Sequence, residues 1–480
     1  MTEKFNASDF YCDRQGPWPQ PSPTHPWGES PSVLHLPLRE KFDWWTFVGS
    51  RYLATLGLTP YYFLKGLFQP GLKEVSDSRF EWFLNETMLS KFLTDKLDDI
   101  DKNIFKEVLK DTKKNWYIVD LEAVKVVNTF KGLHCSGSKT LLYKIDSHPN
   151  HEGGERYIVH SIYIDKTNII FYPKDGEAWE LAKYFVLQGG ALCSTLVTHP
   201  IQHFPNDSIN AIVKTALPKN HLLYRLLYPH LRFTLQLENA VLNYKSSLLQ
   251  EKWWMVYAPY PGGPDGLREL LVEGFKGIKG NASYPPFSFP MKEPNFETKY
   301  GIYLRTYYKV ISNFVGKIIK YIPEDEIWTK RWANYVNKNV KDFPNGDAIF
   351  KNDNLHKAVT SFLFTITVGH SVDHYNYGAL DKREIPLRLR QAPPTKETKL
   401  KKRSKLCNPI DLMKYYLADS LFFSPSTVTS LIDTEYNFLE KGQRKAVQEF
   451  KEDLINAEKE LLKKGIKYMP LKEIAASVQF

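Results

Sequence analysis

The apolar positions along the chain change period twice. From Trp179 onward the spacing is helical: Trp179 to Val197 reads as one long helix, and residues 207 to 216, 221 to 249 and 265 to 276 continue it. Residues 299 to 319 place Tyr303, Tyr307, Ile311, Phe314 and Ile318 on one helical face, and residues 355 to 376 form a further helix. Near the C-terminus Val447, Phe450, Leu454 and Leu461 mark the buried stripe of a long charged helix. Residues 117 to 172 differ. Tyr117-Ile-Val-Asp-Leu, Leu141-Leu-Tyr-Lys-Ile and Arg156-Tyr-Ile-Val-His-Ser-Ile-Tyr-Ile are β-branched and aromatic, with turns between them. They predict a small antiparallel sheet appended to a mainly helical body. Residues 39 to 110 carry aromatic-rich helical patterns such as Phe80-Glu-Trp-Phe-Leu, and residues 1 to 38 form a proline-rich extended arm. No internal repeat is present.

Composition narrows the function. A hydrophobic content of 42% and an aromatic content of 14% over 480 residues give enough apolar side chain for a large core. The net charge of +10 is modest for this length, and only Lys396 to Lys405 forms a basic run. Without a helix-turn-helix spacing or an RNA-binding aromatic signature, that run reads as a solvated loop and nucleic acid is not an expected partner. Cys12, Cys135, Cys193 and Cys407 are scattered, against a disulfide framework or a structural zinc site. The first residues lack an apolar signal core and no run of 18 apolar residues exists, so the expectation is a cytoplasmic protein without a transmembrane segment, and a monomer. Asp99-Ile-Asp-Lys-Asn103 lacks the glycine and closing glutamate of a calcium loop and reads as a solvated acidic face.

The chemistry resides in histidines. His370 and His374 stand four apart in the apolar run Phe362-Leu-Phe-Thr-Ile-Thr-Val-Gly-His-Ser-Val-Asp-His, so both rings share one helical face and could reach one metal ion. A second notable stretch is His221-Leu-Leu-Tyr-Arg-Leu-Leu-Tyr-Pro-His-Leu-Arg-Phe-Thr234. Between them and the sheet lie Phe171-Tyr-Pro-Lys-Asp, Trp179-Glu-Leu-Ala-Lys183 and Ser194-Thr-Leu-Val-Thr-His199, followed by His203 and Asp207. Gly262-Gly263, Gln391-Ala-Pro-Pro-Thr and Lys445-Ala-Val through Tyr468-Met-Pro complete the set.

From about residue 75 to the C-terminus these segments resemble the lipoxygenase family. The resemblance implies one large helical catalytic domain over 39–480, without the family's N-terminal β-barrel. It implies a non-haem iron that takes hydrogen from a doubly allylic carbon before molecular oxygen adds. In that reading His199, His370 and His374 match metal ligands, and Ser194 stands where the first histidine ligand of the family's pair would be. If His199 and His203 sit four apart on a regular turn, His203 could replace it, although Pro200 disfavours that turn. The family's last ligand is the main-chain carboxylate of a C-terminal isoleucine. This chain ends in Phe480 with a shorter tail, which leaves Phe480 a conditional ligand. Asp207 and Asp373 are candidates to orient imidazole N–H groups, and His221 and His230 read as packing or capping residues. Tyr375 and Tyr377 read as core or pocket wall. The implied substrate is a hydrophobic small molecule, polyunsaturated or terpenoid-like, lined by residues 221 to 237 and 359 to 368. Two further readings follow from Ser194: a protein of this fold that binds a lipid or partner without metal chemistry, or an isomerase or cyclase in specialised biosynthesis.

Overall fold

The structure is a computed structural model. It describes residues 42–145, 156–233, 258–263, 266–267, 269–270, 273, 298–340, 343–424 and 429–478, with side chains at all of these but Ile201, Phe204, Pro205, Asp207, Ser208, Lys338 and Asn339. The arm 1–38, most of 234–276 and Phe480 therefore lie outside the described residues.

The body is helical. A helix at Glu177–Cys193 is buried on almost every side, because fifteen of its residues are apolar or internally bonded. A second helix, Lys299–Ile319, turns Tyr300, Tyr303, Tyr307, Ile311, Phe314 and Ile318 inward, as its period predicts. The charged helix Lys441–Lys463 lies along it. Phe450 stacks on Phe314 with centroids 4.2 Å apart, and Leu454 and Leu461 are buried while Val447 is only partly so. The helical stretch expected over 221–249 is shorter among the described residues. A helix at Leu222–Leu227 tightens into a single 3₁₀ turn at Tyr228–His230, where Pro229 cannot donate the next hydrogen bond.

The sheet forms where the period-2 pattern places it. Strands β1 (Leu93–Thr94), β2 (Trp116–Asp120), β3 (Ser138–Ile145), β4 (Arg156–Ile164) and β5 (Ile169–Phe171) pair antiparallel in sequence order. The Ile118–Leu141 register closes a small satellite core with Phe105, and the other face packs on the main core. The acidic segment beside it is only partly solvated. Asp98 and Asp101 form a capping box on the helix Asp99–Ile104, and Asp101 is buried 3.2 Å from the Lys139 ammonium. Lys139 also meets Asp120 at 2.6 Å and Glu122 at 2.9 Å, so the segment neutralises a buried cation and is not a calcium loop.

Candidate metal centre

Two helices bring the histidines together, and both depart from regular α geometry just before them. The Glu177–Cys193 helix widens into a π segment at Ser194–Thr198, where the His199 N–H donates to the Ser194 carbonyl at 3.2 Å. A single 3₁₀ turn, Pro200–Gln202, follows, and a helix resumes at Phe204–Ala216. Pro200 takes the first position of that turn, where its missing N–H has no partner to lose. The second segment repeats the device: helix Asn354–Phe364, a π segment at Thr365–Gly369, then helix His370–Ala379. Single π turns of this kind re-aim side chains and occur at functional sites.

The result is a cluster of four imidazoles, His199, His203, His370 and His374, with one ligand atom from each lying within 4.8 Å of the others. Neighbouring Nε2 atoms are 2.8 Å apart between His374 and His199, 2.8 Å between His199 and His203, and 3.1 Å between His203 and His370. His203 and His370 are buried, and His199 and His374 retain some accessible surface, which leaves that side of the cluster open. His203 reaches the cluster across the 3₁₀ turn Pro200–Gln202, not on the regular α turn that would set it four apart from His199 on one face.

Burial lowers the proton affinity of all four rings. It holds His203 down to about 3 and His374 to about 4, and His199 and His370 well below the usual histidine value with the adjacent imidazoles adding to the effect. The rings are therefore neutral at pH 7. A neutral Nε2 offers one proton or one lone pair, so at most two of the three contacts in this row can be hydrogen bonds. A single cation would accept all four lone pairs. Two imidazole nitrogens each about 2.1 Å from one metal at a right angle are about 3.0 Å apart, close to the separations found. The donor set thus fits a borderline transition metal such as iron or manganese.

Ser194 is buried, five residues before His199, and its hydroxyl has no hydrogen-bond partner among the described residues. Its carbonyl, by contrast, anchors both the His199 N–H and the Thr198 hydroxyl. Asp373 does not orient an imidazole. Its carboxylate accepts from the Lys91 ammonium at 2.8 Å, from the Gln202 amide at 3.0 Å and from the Tyr300 hydroxyl. Its oxygens are taken up by these three donors from other elements of the chain. Gln202 lies between His199 and His203, so this one carboxylate ties the two histidine segments together. Lys91, Gln202 and Tyr300 were not legible as site residues, because nothing in the sequence links positions so far apart. The Asp207 side chain and Phe480 lie outside the described residues.

His221 and His230 are engaged in contacts away from the cluster. His221 accepts the Leu223 N–H on Nδ1 and meets Glu326 at 3.0 Å. His230 clasps the C-terminal tail: Nδ1–H donates to the Ala476 carbonyl and Nε2 accepts from Tyr436 at 2.8 Å. Just before Ala476, the Ala475 N–H donates to the Ser371 hydroxyl of the helix His370–Ala379 at 3.1 Å. Burial depresses His230 from 6.5 to about 4. The folded protein keeps it neutral while the unfolded chain protonates below 6.5. Its contribution is intact above pH 6.5, falls as the pH drops, and is lost by about pH 4, a total of roughly 3 kcal/mol. Urea midpoints measured at pH 7 and pH 5 should fall less in His230→Gln than in the natural chain. Equal falls would remove His230 from the account.

No family model matches the sequence. Two curated relatives do. The chain is 23% identical over 318 residues to the epidermal-type polyunsaturated fatty acid (12S)/(13S)-lipoxygenase of Rattus norvegicus, covering 61% of this chain and 47% of that protein. It is 22% identical over 245 residues to the Mus musculus counterpart, covering 47% and 36%. The chain thus spans about half the length, or less, of the curated relatives it matches. Among solved structures, manganese lipoxygenase of Gaeumannomyces graminis superposes with a TM-score of 0.69 at 14% identity, over 92% of this chain and 91% of that one. A LOX structure in complex with arachidonate superposes with a TM-score of 0.68 at 16% identity, over 91% and 75%. The fold is that of a lipoxygenase catalytic domain: helix-dominated with a small antiparallel sheet. Sequence and structural similarity together support a lipoxygenase-family protein.

Proposed function

We propose that the chain is a non-haem metal oxidoreductase acting on a hydrophobic, polyunsaturated substrate with molecular oxygen. The observation that carries this reading is the buried cluster of four neutral imidazoles set in a lipoxygenase fold. His199, His203, His370 and His374 are the residues proposed to hold the metal, with iron the metal named first. Bound there, iron would supply one-electron chemistry toward a doubly allylic C–H bond. The protein's own part is positional. The π segments aim the rings, the Asp373 carboxylate fixes the spacing of the two histidine segments, and buried Phe362, Leu363, Phe364, Ile366 and Val368 keep the His370 segment in an apolar setting. A substrate held beside these side chains would be a long hydrocarbon chain sooner than a sugar, nucleotide or peptide.

The test has two readouts. Purified protein loaded with ferrous iron should retain about one metal per chain after dialysis. It should also consume oxygen and raise conjugated-diene absorbance with linoleic or arachidonic acid. Retained metal without oxygen consumption would replace dioxygenation by altered chemistry. Failure to retain iron or manganese would leave a lipid- or partner-binding protein.

A further inference from the structure

More than half of the exposed large apolar side chains among the described residues fall between Phe42 and Phe68. This stretch forms a π turn at Trp45–Gly49, a helix at Ser50–Gly57 and a helix at Thr59–Phe68. Trp45 is 59% exposed, Leu53 75%, Leu64 49% and Phe68 82%. Tyr61, Leu64 and Phe68 recur at three- and four-residue spacing, so they share one face of their helix. The opposite face packs on the helix Pro409–Ala418. Tyr62 stacks on Tyr416 at 5.7 Å, the Lys65 ammonium lies 4.0 Å over the same ring, and a methyl group on Gly66 would come within 2.7 Å of the Pro409 carbonyl oxygen. The apolar face is therefore not a core face that failed to pack. Contiguous exposed apolar surface on this scale marks an interaction site.

The charge beside it indicates the partner. Within residues 42–68 the one acidic residue, Asp43, is paired with Arg232 at 2.7 Å. Arg51 points inward and Lys73 is paired with Asp381 at 2.6 Å, so the exposed cations beside the apolar face come from the neighbouring basic run. The end of this stretch abuts the basic run. Leu72 donates its N–H to the Arg403 carbonyl at 3.2 Å, and Gly71, at φ +81°, touches the backbone of Arg403 and Ser404. Lys399-Leu-Lys-Lys-Arg-Ser-Lys405 holds five cations and no anion. Lys401, Lys402 and Lys405 are exposed, and no ion pair neutralises them among the described residues. Ile410, 50% exposed, extends the apolar surface beyond the run.

We infer that residues 42–68 and the 399–405 segment form one surface that docks on an anionic lipid bilayer. Helices with a Trp, Tyr, Phe and Leu face beside lysines lie in the membrane interface, the apolar side chains entering the acyl boundary and the cations meeting lipid phosphates. A second copy of the chain is a poorer occupant, because a two-fold contact through this face would set the basic segments near one another. The surface also lies one layer from the histidines. Arg51 donates to the Ser420 and Ser424 carbonyls at 3.1 and 2.8 Å, and Phe423 in the same turn lies 5.3 Å from the His374 ring. Docking there would bring the bilayer within one layer of side chains of the His374 ring. The inference itself does not depend on metal or turnover.

Co-sedimentation of the full chain with vesicles tests it. Vesicles of phosphatidylcholine containing about one-third phosphatidylserine should pellet the protein, pure phosphatidylcholine should do so weakly, and raised salt should release it. Replacing Lys401, Lys402 and Lys405 together by alanine should weaken binding on the order of 100-fold, roughly fivefold per cation. Leu64→Glu with Phe68→Glu should abolish it while leaving circular dichroism unchanged, because both side chains face outward. Protein that stays in the supernatant at every composition, or variants that pellet as the natural chain does, would overturn the inference. So would a dimer in light scattering that Leu64→Glu with Phe68→Glu converts to monomer, since a second copy would then own the face.

Discussion

His203→Ala is expected to lower metal affinity on the order of 100-fold or more, the upper end of what loss of even an outer partner of a metal ligand costs. Ser194→Ala should leave it unchanged. The two substitutions separate the two ways a fourth donor could arise next to His199. The geometry favours His203, whose Nε2 lies 2.8 Å from His199 and 3.1 Å from His370. A serine hydroxyl is a weak neutral donor, and what Ser194 contributes is its carbonyl, which sets the π turn that an alanine would keep. Metal per chain, followed by plasma emission during titration with a chelator, is the measurement. Retention by His203→Ala with loss in Ser194→Ala would reassign the donor to the serine. With His203 in place, Ser194→His has little left to supply, so a large gain in iron affinity from it would also count against the four-histidine arrangement.

Asp373→Ala carries the largest expected cost to stability, about 3–5 kcal/mol, because it removes the carboxylate from a buried ammonium. The Lys91 side chain is fully buried and Asp373 is 5% exposed. Burial already lowers the Lys91 pKa, and the Asp373 charge opposes that shift. The same substitution releases the Gln202 amide and the Tyr300 hydroxyl, so the turn between His199 and His203 loses its tether. Urea denaturation should show an early midpoint. Tyr300→Phe, which removes one hydroxyl and leaves the ion pair, should cost only about 1 kcal/mol and keep the fold. That milder variant also reports on positioning: it should broaden the spectroscopic signature of bound metal while leaving the metal stoichiometry near one per chain. An Asp373→Ala midpoint close to that of the natural chain would show that the hub does not hold the two segments.

The sequence by itself determined the helical body and the sheet. Their periods are local: 3.6 along Tyr303 to Ile318, and 2 along Arg156 to Ile164, where β-branched and aromatic residues leave no competing pattern. It also determined that His370 and His374 share a face, since spacing along one helix fixes that without reference to the rest of the chain. The tertiary structure alone decided the cluster's fourth member and its support. Whether His203 turns toward His199 depends on how a π turn and a 3₁₀ turn add up around Pro200, and those departures are set by packing and not by propensity. The partners of Asp373 come from positions 91, 202 and 300, which only long-range packing brings within reach of one carboxylate. Likewise, the basic run at 399–405 has no evident purpose as a sequence. It gains one beside residues 42–68 because the fold sets it against Gly71 and Leu72, and the adjacency of charge to apolar surface is a property of the surface, not of the order of residues.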